Sequence, residues 1–151
     1  MKKVFFPGSF NPFTKGHADI VCRMLKLADT VVIGIGINTQ KEGDLAEKSA
    51  NAEAIRKIFS GPEFAGKVEV TVYSGLTMEK ARELNADCVV RGVRGAADFE
   101  YEFSLAAANR AAFGIETILL PADPVLSCVS SSIVRDLIRF GRPDIAEKFL
   151  P

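Results

Sequence analysis

The 151-residue chain carries no excess of charge: 19 lysines and arginines balance 19 aspartates and glutamates. No global field exists to hold DNA or RNA, so any anion it binds must be small and held locally. It contains no uncharged apolar run of 18 or more residues, so no membrane-spanning segment is predicted; the opening MKKVFFPGS meets Pro7-Gly8 too early for a secretory h-region. A cytoplasmic location is expected. Cysteine is scarce: Cys22, Cys88 and Cys128 lie far apart, form no CxxC, and each neighbours a valine, which predicts reduced, packed thiols. Neither GxxxxGK[ST] nor GxGxxG occurs, which removes the main support for GTP-switch and NAD-type readings. There is no Ser-His-Asp order, no obvious pair of catalytic carboxylates, and no His or Cys cluster for zinc. A reaction that needs a strong side-chain base is therefore poorly served. Histidine itself occurs once, at His17.

What is present is apolar and periodic. With 48% hydrophobic residues, one domain over 1–151 can bury its own core. Segments 4–7, 30–37, 67–73, 87–92 and 116–121 are short, rich in valine and isoleucine, and bounded by Gly, Pro, Asn or Asp, which predicts five strands. Between and after them, helical spacing predicts helices over 16–28 (Ile20, Met24 and Ala28 on one face), 46–60 (Ile55, Phe59), 77–85, 98–113 (Phe99, Phe103, Ala107 on an apolar face) and 131–140. Nearly continuously apolar strands alternating with amphipathic helices predict an α/β, Rossmann-like fold: a five-stranded parallel sheet with helices on both faces. The polar stretch NTQKEGDLAEKSANA, 38–52, reads as a mobile loop leading into a helix.

In such folds ligands bind beyond the carboxyl ends of the strands, and four unusual clusters fall there. The first is PGSFNPFTKGH, 7–17, where glycines admit close backbone approach, Ser9 and Thr14 offer hydroxyls, and a helix N-terminus supplies partial positive charge. His17, in the first helical turn, can donate an N–H to a phosphoryl oxygen without being protonated. The second is the polar stretch after the second strand, with Lys41. The third is RGVRGAADFEYE, 91–102: Arg91 and Arg94 suit phosphate recognition, and Asp98, Glu102 and Asn109 recur on a polar helix face opposite Phe99 and Phe103, so that Glu102 can reach a nucleotide. The fourth is CVSSSIVRDLI, 128–138, where Ser130, Ser131 and Ser132 can cap a helix and present N–H and O–H donors to phosphates.

The TxGH of residues 14–17 resembles the HxGH signature of the nucleotidyltransferase superfamily. PGSFNPF before it, RGVRGAADFEYE, and VSSSIVR, close to an ISSSxxR element, are similar in order and spacing to the bacterial phosphopantetheine adenylyltransferase family. The resemblance covers essentially the whole chain. It departs from the family in AEKSANA, 46–52, which lacks an arginine, and in Leu126, where an aromatic is frequent. It implies transfer of the adenylyl group of ATP to 4'-phosphopantetheine, giving dephospho-coenzyme A and pyrophosphate. His17 would be catalytic, and Ser9, Lys41, Thr77 and Arg91 would bind the acceptor. ATP would be held by Ser9, Phe10, His17, Gly92, Val93, Arg94, Glu102, Leu126, Ser127, Cys128, Val129, Ser130, Ser131 and Ser132. The resemblance also implies a homohexamer and dephospho-coenzyme A or coenzyme A as product or inhibitor. Mg²⁺ is expected with the triphosphate rather than in a protein cage. Alternatives are another TxGH or HxGH transferase acting on nicotinamide mononucleotide or making a CDP-alcohol, a non-catalytic nucleotide-binding module, and a flavoprotein of similar architecture.

Overall fold

The computed structural model describes every residue, Met1–Pro151. The strands are β1 (Lys3–Gly8), β2 (Thr30–Gly36), β3 (Val68–Tyr73), β4 (Cys88–Val93) and β5 (Glu116–Pro121). The helices are α1 (Lys15–Met24), α2 (Asp44–Ile58), α3 (Thr77–Glu83), α4 (Ala96–Phe113), α5 (Ser131–Arg139) and a short α6 (Pro143–Ala146) that the sequence pattern did not reveal. All five expected strands form, within a residue or two of their expected ends. They make one parallel sheet in the order β3-β2-β1-β4-β5.

Alternation along the strands sends side chains to two cores. Val4, Phe6, Ile33 and Ile35 pack with Ile20, Val21 and Met24 of α1 and Ala52 and Ile55 of α2. Phe5, Val32 and Val89 face the other way, against Met78 and Ala81 of α3 and Ile115. Helices therefore cover both faces. No helix is long and apolar enough to cross a membrane.

The order reverses at β1, which has β2 on one side and β4 on the other, and that switch point is where a cleft is expected. The pairing shows how it opens. β1 matches β2 over six residue pairs, from Lys3↔Thr30 to Gly8↔Ile35, whereas β1 matches β4 only at Val4↔Cys88 and Phe5↔Val89. Beyond Phe5 the two strands part, and the carboxyl edge splits.

Three expectations change. The thiols are not all packed: Cys22, next to the buried Val21, lies on the outer side of α1, Cys128 lies in the turn before α5, and both are exposed, with Cys88 half-buried. Helix α2 begins at Asp44, so the loop is only 38–43. A left-handed Gly43 (φ 78°) turns the chain, and the buried Asp44 carboxylate accepts the Asn38 N–H at 2.7 Å. The buried positions of α2 are Asp44, Lys48, Ala52 and Ile55, a helical stripe whose first half is charged and therefore shows no apolar period. Finally, the aromatics of α4 stack on each other (Phe99 and Phe103, centroids 5.8 Å apart) but face outward, 48% and 59% exposed, while the buried side chain of that helix is Glu102.

Candidate active site

A cleft of about 320 Å³ lies where β1 and β4 part. It is lined from β1 and its following loop by Pro7, Gly8, Ser9 and Phe10, and from α1 by Gly16 and His17. Arg91, Gly92, Arg94, Asp98 and Glu102 line it from the β4–α4 side, and Leu126, Val129, Ser130, Ser131, Ser132 and Arg135 from α5 and the turn before it. Gly92 packs closely under α1: a Cβ there would lie 2.4 Å from Ile20 Cδ1, which would have to shift.

His17 is fixed by its own helix start. Thr14 N–H donates to His17 Nδ1 at 3.0 Å, and Thr14 Oγ1 lies 3.1 Å from the same nitrogen. With Nδ1 accepting, the neutral ring carries its proton on Nε2. The ring is flanked by Phe6, Phe10 and Phe13, with centroids 6.2, 5.0 and 5.3 Å away. Burial, with Arg94 and Arg91 adding to it, lowers its pKa from 6.5 to about 4. At neutral pH His17 is thus an uncharged donor at the edge of a cationic cleft.

Arg91 sits inside the split. Its Nε donates to Glu102 Oε2 at 2.8 Å and its NH2 to Oε1 at 2.6 Å, while its NH1 donates to the Pro7 carbonyl at 2.9 Å. The side chain thus replaces the backbone pairing that β1 and β4 give up. Burial opposes the charge of Arg91 and the Glu102 hydrogen bonds and charge favour it, the net effect being a raised pKa. Each Glu102 oxygen accepts from the guanidinium and so orients Arg91, and the same side chain lines the cleft toward which it was expected to reach. Two N–H groups of Arg91 remain for a ligand. Arg94, more exposed, donates from Nε to Asp98 Oδ2 at 3.1 Å.

The α5 N-terminus faces the same space. Ser130 is its N-cap, its hydroxyl accepting the Ile133 N–H at 3.2 Å, and Ser131 Oγ donates to the Pro12 carbonyl at 2.8 Å. A second hollow of about 260 Å³ adjoins the cleft, sharing Pro7, Arg91 and Glu102, and is lined further by Leu76, Thr77, Met78, Leu105, Asn109 and Phe113 among others. Of these, sequence reasoning named only Thr77 as a binding residue. Asn109 was singled out only by its place on the polar face of α4, and the rest are apolar side chains with no local signature. Thr77 Oγ1 lies 2.9 Å from Tyr73 Oη.

Of the residues singled out in the sequence, Ser9, Phe10, His17, Arg91, Gly92, Arg94, Glu102, Leu126, Val129, Ser130, Ser131 and Ser132 meet at the cleft, and Thr77 at the adjoining hollow. Val93 is buried at the end of β4, and Ser127 and Cys128 lie in the turn outside the lining. Lys41 lines neither space: it is exposed, with Nζ 3.7 Å from Asp44 and 3.6 Å from Glu47 carboxylate oxygens. No three His, Cys, Asp or Glu side chains come together as a metal cluster.

The family profile described as cytidylyltransferase-like matches residues 5–137. The phosphopantetheine adenylyltransferase of Porphyromonas gingivalis is 47% identical over 153 residues, covering 100% of this chain and 96% of that protein. That of Bacteroides fragilis is 44% identical, covering 100% and 97%. Among solved structures, the nicotinic acid mononucleotide adenylyltransferase of Plasmodium falciparum complexed with NaAD superposes with a TM-score of 0.65 at 14% identity, over 99% of this chain and 91% of that one. Thermotoga maritima TmcAL bound with alpha-thio ATP gives 0.66 at 15%, over 100% and 53%. These two likenesses are of fold.

Proposed function

We propose the roles below from the premise that this chain belongs to the cytidylyltransferase-like family and, within it, to the phosphopantetheine adenylyltransferases. It is a nucleotidyltransferase that moves the adenylyl group of ATP to 4'-phosphopantetheine, forming dephospho-coenzyme A and pyrophosphate. The observation that carries the reading is convergence: one imidazole, three arginines and four serines from distant parts of the chain line a single cleft, which adjoins a largely apolar hollow.

A phosphate monoester is already an anionic nucleophile, so no side-chain base is needed. An acceptor phosphate oxygen attacks the α-phosphorus of ATP, the Pα–O bond to the β-phosphate breaks, and the electron pair leaves with pyrophosphate. ATP phosphates lie between the start of α1 and the start of α5, whose free N–H groups favour anions. His17 Nε2–H donates to an α-phosphoryl oxygen as negative charge grows there, and its lowered pKa keeps it a neutral donor. Arg94 and Ser130 to Ser132 hold the triphosphate. Ser9 and the outer N–H groups of Arg91 hold the acceptor phosphate, while the pantetheine arm extends into the hollow beside Thr77. Mg²⁺ would arrive with the triphosphate rather than in a protein cage and would supply charge neutralisation there.

The outward aromatics of α4, Phe99 and Phe103, form an apolar patch that suits burial against other copies of the chain, in keeping with a homohexamer. A cytoplasmic setting suits the exposed, unpaired Cys22 and Cys128.

Pyrophosphate release with ATP, Mg²⁺ and 4'-phosphopantetheine tests the reading. His17→Ala should lower kcat by about a hundred- to a thousandfold, with little change in the KM for ATP. Equal rates for the two proteins would remove His17 from the chemistry, and an inactive wild type would remove the substrate assignment.

A further inference from the structure

The loop after β1 is held from outside the cleft in an unusual way: nearly every carbonyl in it accepts a side-chain donor from a different place in the fold. Arg91 takes Pro7 O, Lys48 Nζ takes Ser9 O at 3.3 Å, Asn51 Nδ2 takes Phe10 O at 2.6 Å, Arg135 NH1 takes Asn11 O at 2.5 Å, and Ser131 takes Pro12 O. Two of these donors, Lys48 and Asn51, belong to α2, which lines neither space.

Lys48 is the anomaly among them. It is only 6% exposed, forms no ion pair with any carboxylate, and its one hydrogen-bond partner is the neutral Ser9 carbonyl. A buried ammonium without a counter-ion is costly and is retained where its charge is used. Across a trans peptide the N–H points opposite to the C=O. Holding Ser9 O and Phe10 O toward α2 therefore turns the Phe10 and Asn11 N–H groups away from it. Those two groups and the Ser9 N–H make no hydrogen bond within the chain. Phe10 holds a left-handed backbone (φ 45°), which a phenylalanine adopts only when its surroundings impose it. Successive N–H groups left free around such a residue form a concavity suited to a phosphate.

We propose that Lys48, assisted by Asn51, is a positioning residue for the acceptor phosphate. Its ammonium fixes the 9–11 loop with donors presented to the cleft, and its unneutralised charge adds to the attraction for the incoming dianion. It supplies from the interior of α2 the cation that the exposed Lys41, paired with Asp44 and Glu47, does not bring to the cleft. This rests on the reading that the loop receives the phosphate of 4'-phosphopantetheine.

The test is steady-state kinetics of Lys48→Met and Lys48→Gln beside wild type, with each substrate varied in turn and melting temperatures measured in parallel. Lys48→Met should reduce kcat/KM for 4'-phosphopantetheine by at least about tenfold, as expected for loss of a charge-assisted hydrogen bond, while the KM for ATP stays within about twofold. Lys48→Gln, which keeps a donor without the charge, should fall between the two. Should the methionine protein fail to fold, the glutamine protein decides alone, by whether its acceptor constant moves and its ATP constant does not. Unchanged acceptor kinetics in the folded variants would overturn the proposal. So would a fall in melting temperature with equal losses for both substrates, the mark of a packing role alone. A wild type that turns over ATP with another acceptor but not with 4'-phosphopantetheine would instead overturn the underlying assignment.

Discussion

At the scale of single residues, His17 has two properties that can be separated. Its Nδ1 is committed to Thr14, which leaves Nε2 as the donor, and its surroundings hold its pKa at about 4 in the fold against 6.5 for the free side chain. Between those values the unfolded chain binds a proton that the folded chain does not, so stability falls as pH falls from 6.5 toward 4 and is unaffected by this group above 6.5. The full loss is up to about 3 kcal/mol. His17→Asn should flatten that limb of a plot of melting temperature against pH; parallel limbs for the two proteins would assign the acid sensitivity elsewhere. By the same geometry, the rate between pH 5 and 8 should show no inflection from this imidazole. The residue and its loop were legible in sequence because glycines, prolines and a lone histidine are rare together. Lys48 was not, because a buried lysine is spelled like any surface lysine.

At the scale of elements, the strands could be read from the sequence because a parallel sheet buried on both faces leaves little room for polar residues. Two of the helices could not be read so simply. In α2 the inward stripe opens with Asp44 and Lys48, so the expected start at 46 falls two residues late, inside a stretch that reads as loop. In α4 Glu102 faces the cleft as expected, but it is the buried side chain, satisfied by Arg91, while Phe99 and Phe103 turn outward. That ion pair ties β4 to α4 and, through Pro7, to β1. Glu102→Ala should leave the half-buried Arg91 guanidinium without its counter-charge and destabilise the fold by about 1–3 kcal/mol in urea titrations. Glu102→Ala combined with Arg91→Met should recover much of that stability without recovering turnover. A double variant no more stable than Glu102→Ala would show that the pair's cost lies in packing rather than charge.

At the scale of the whole molecule, the outward aromatic face of α4 has no partner within the chain. If assembly buries it, Phe99→Glu with Phe103→Glu should give a smaller species in sedimentation equilibrium than wild type, with the isolated fold retained by circular dichroism. Equal masses would place any assembly on another face. The parting of β1 from β4 has a mechanical meaning as well. The molecule is two hydrogen-bonded plates, one of three strands and one of two, joined along a short seam at the end remote from chemistry. Arg91, reaching from β4 to the Pro7 carbonyl of β1, is the side-chain rung that spans the gap, so the stiffness of the hinge between the plates should depend on it.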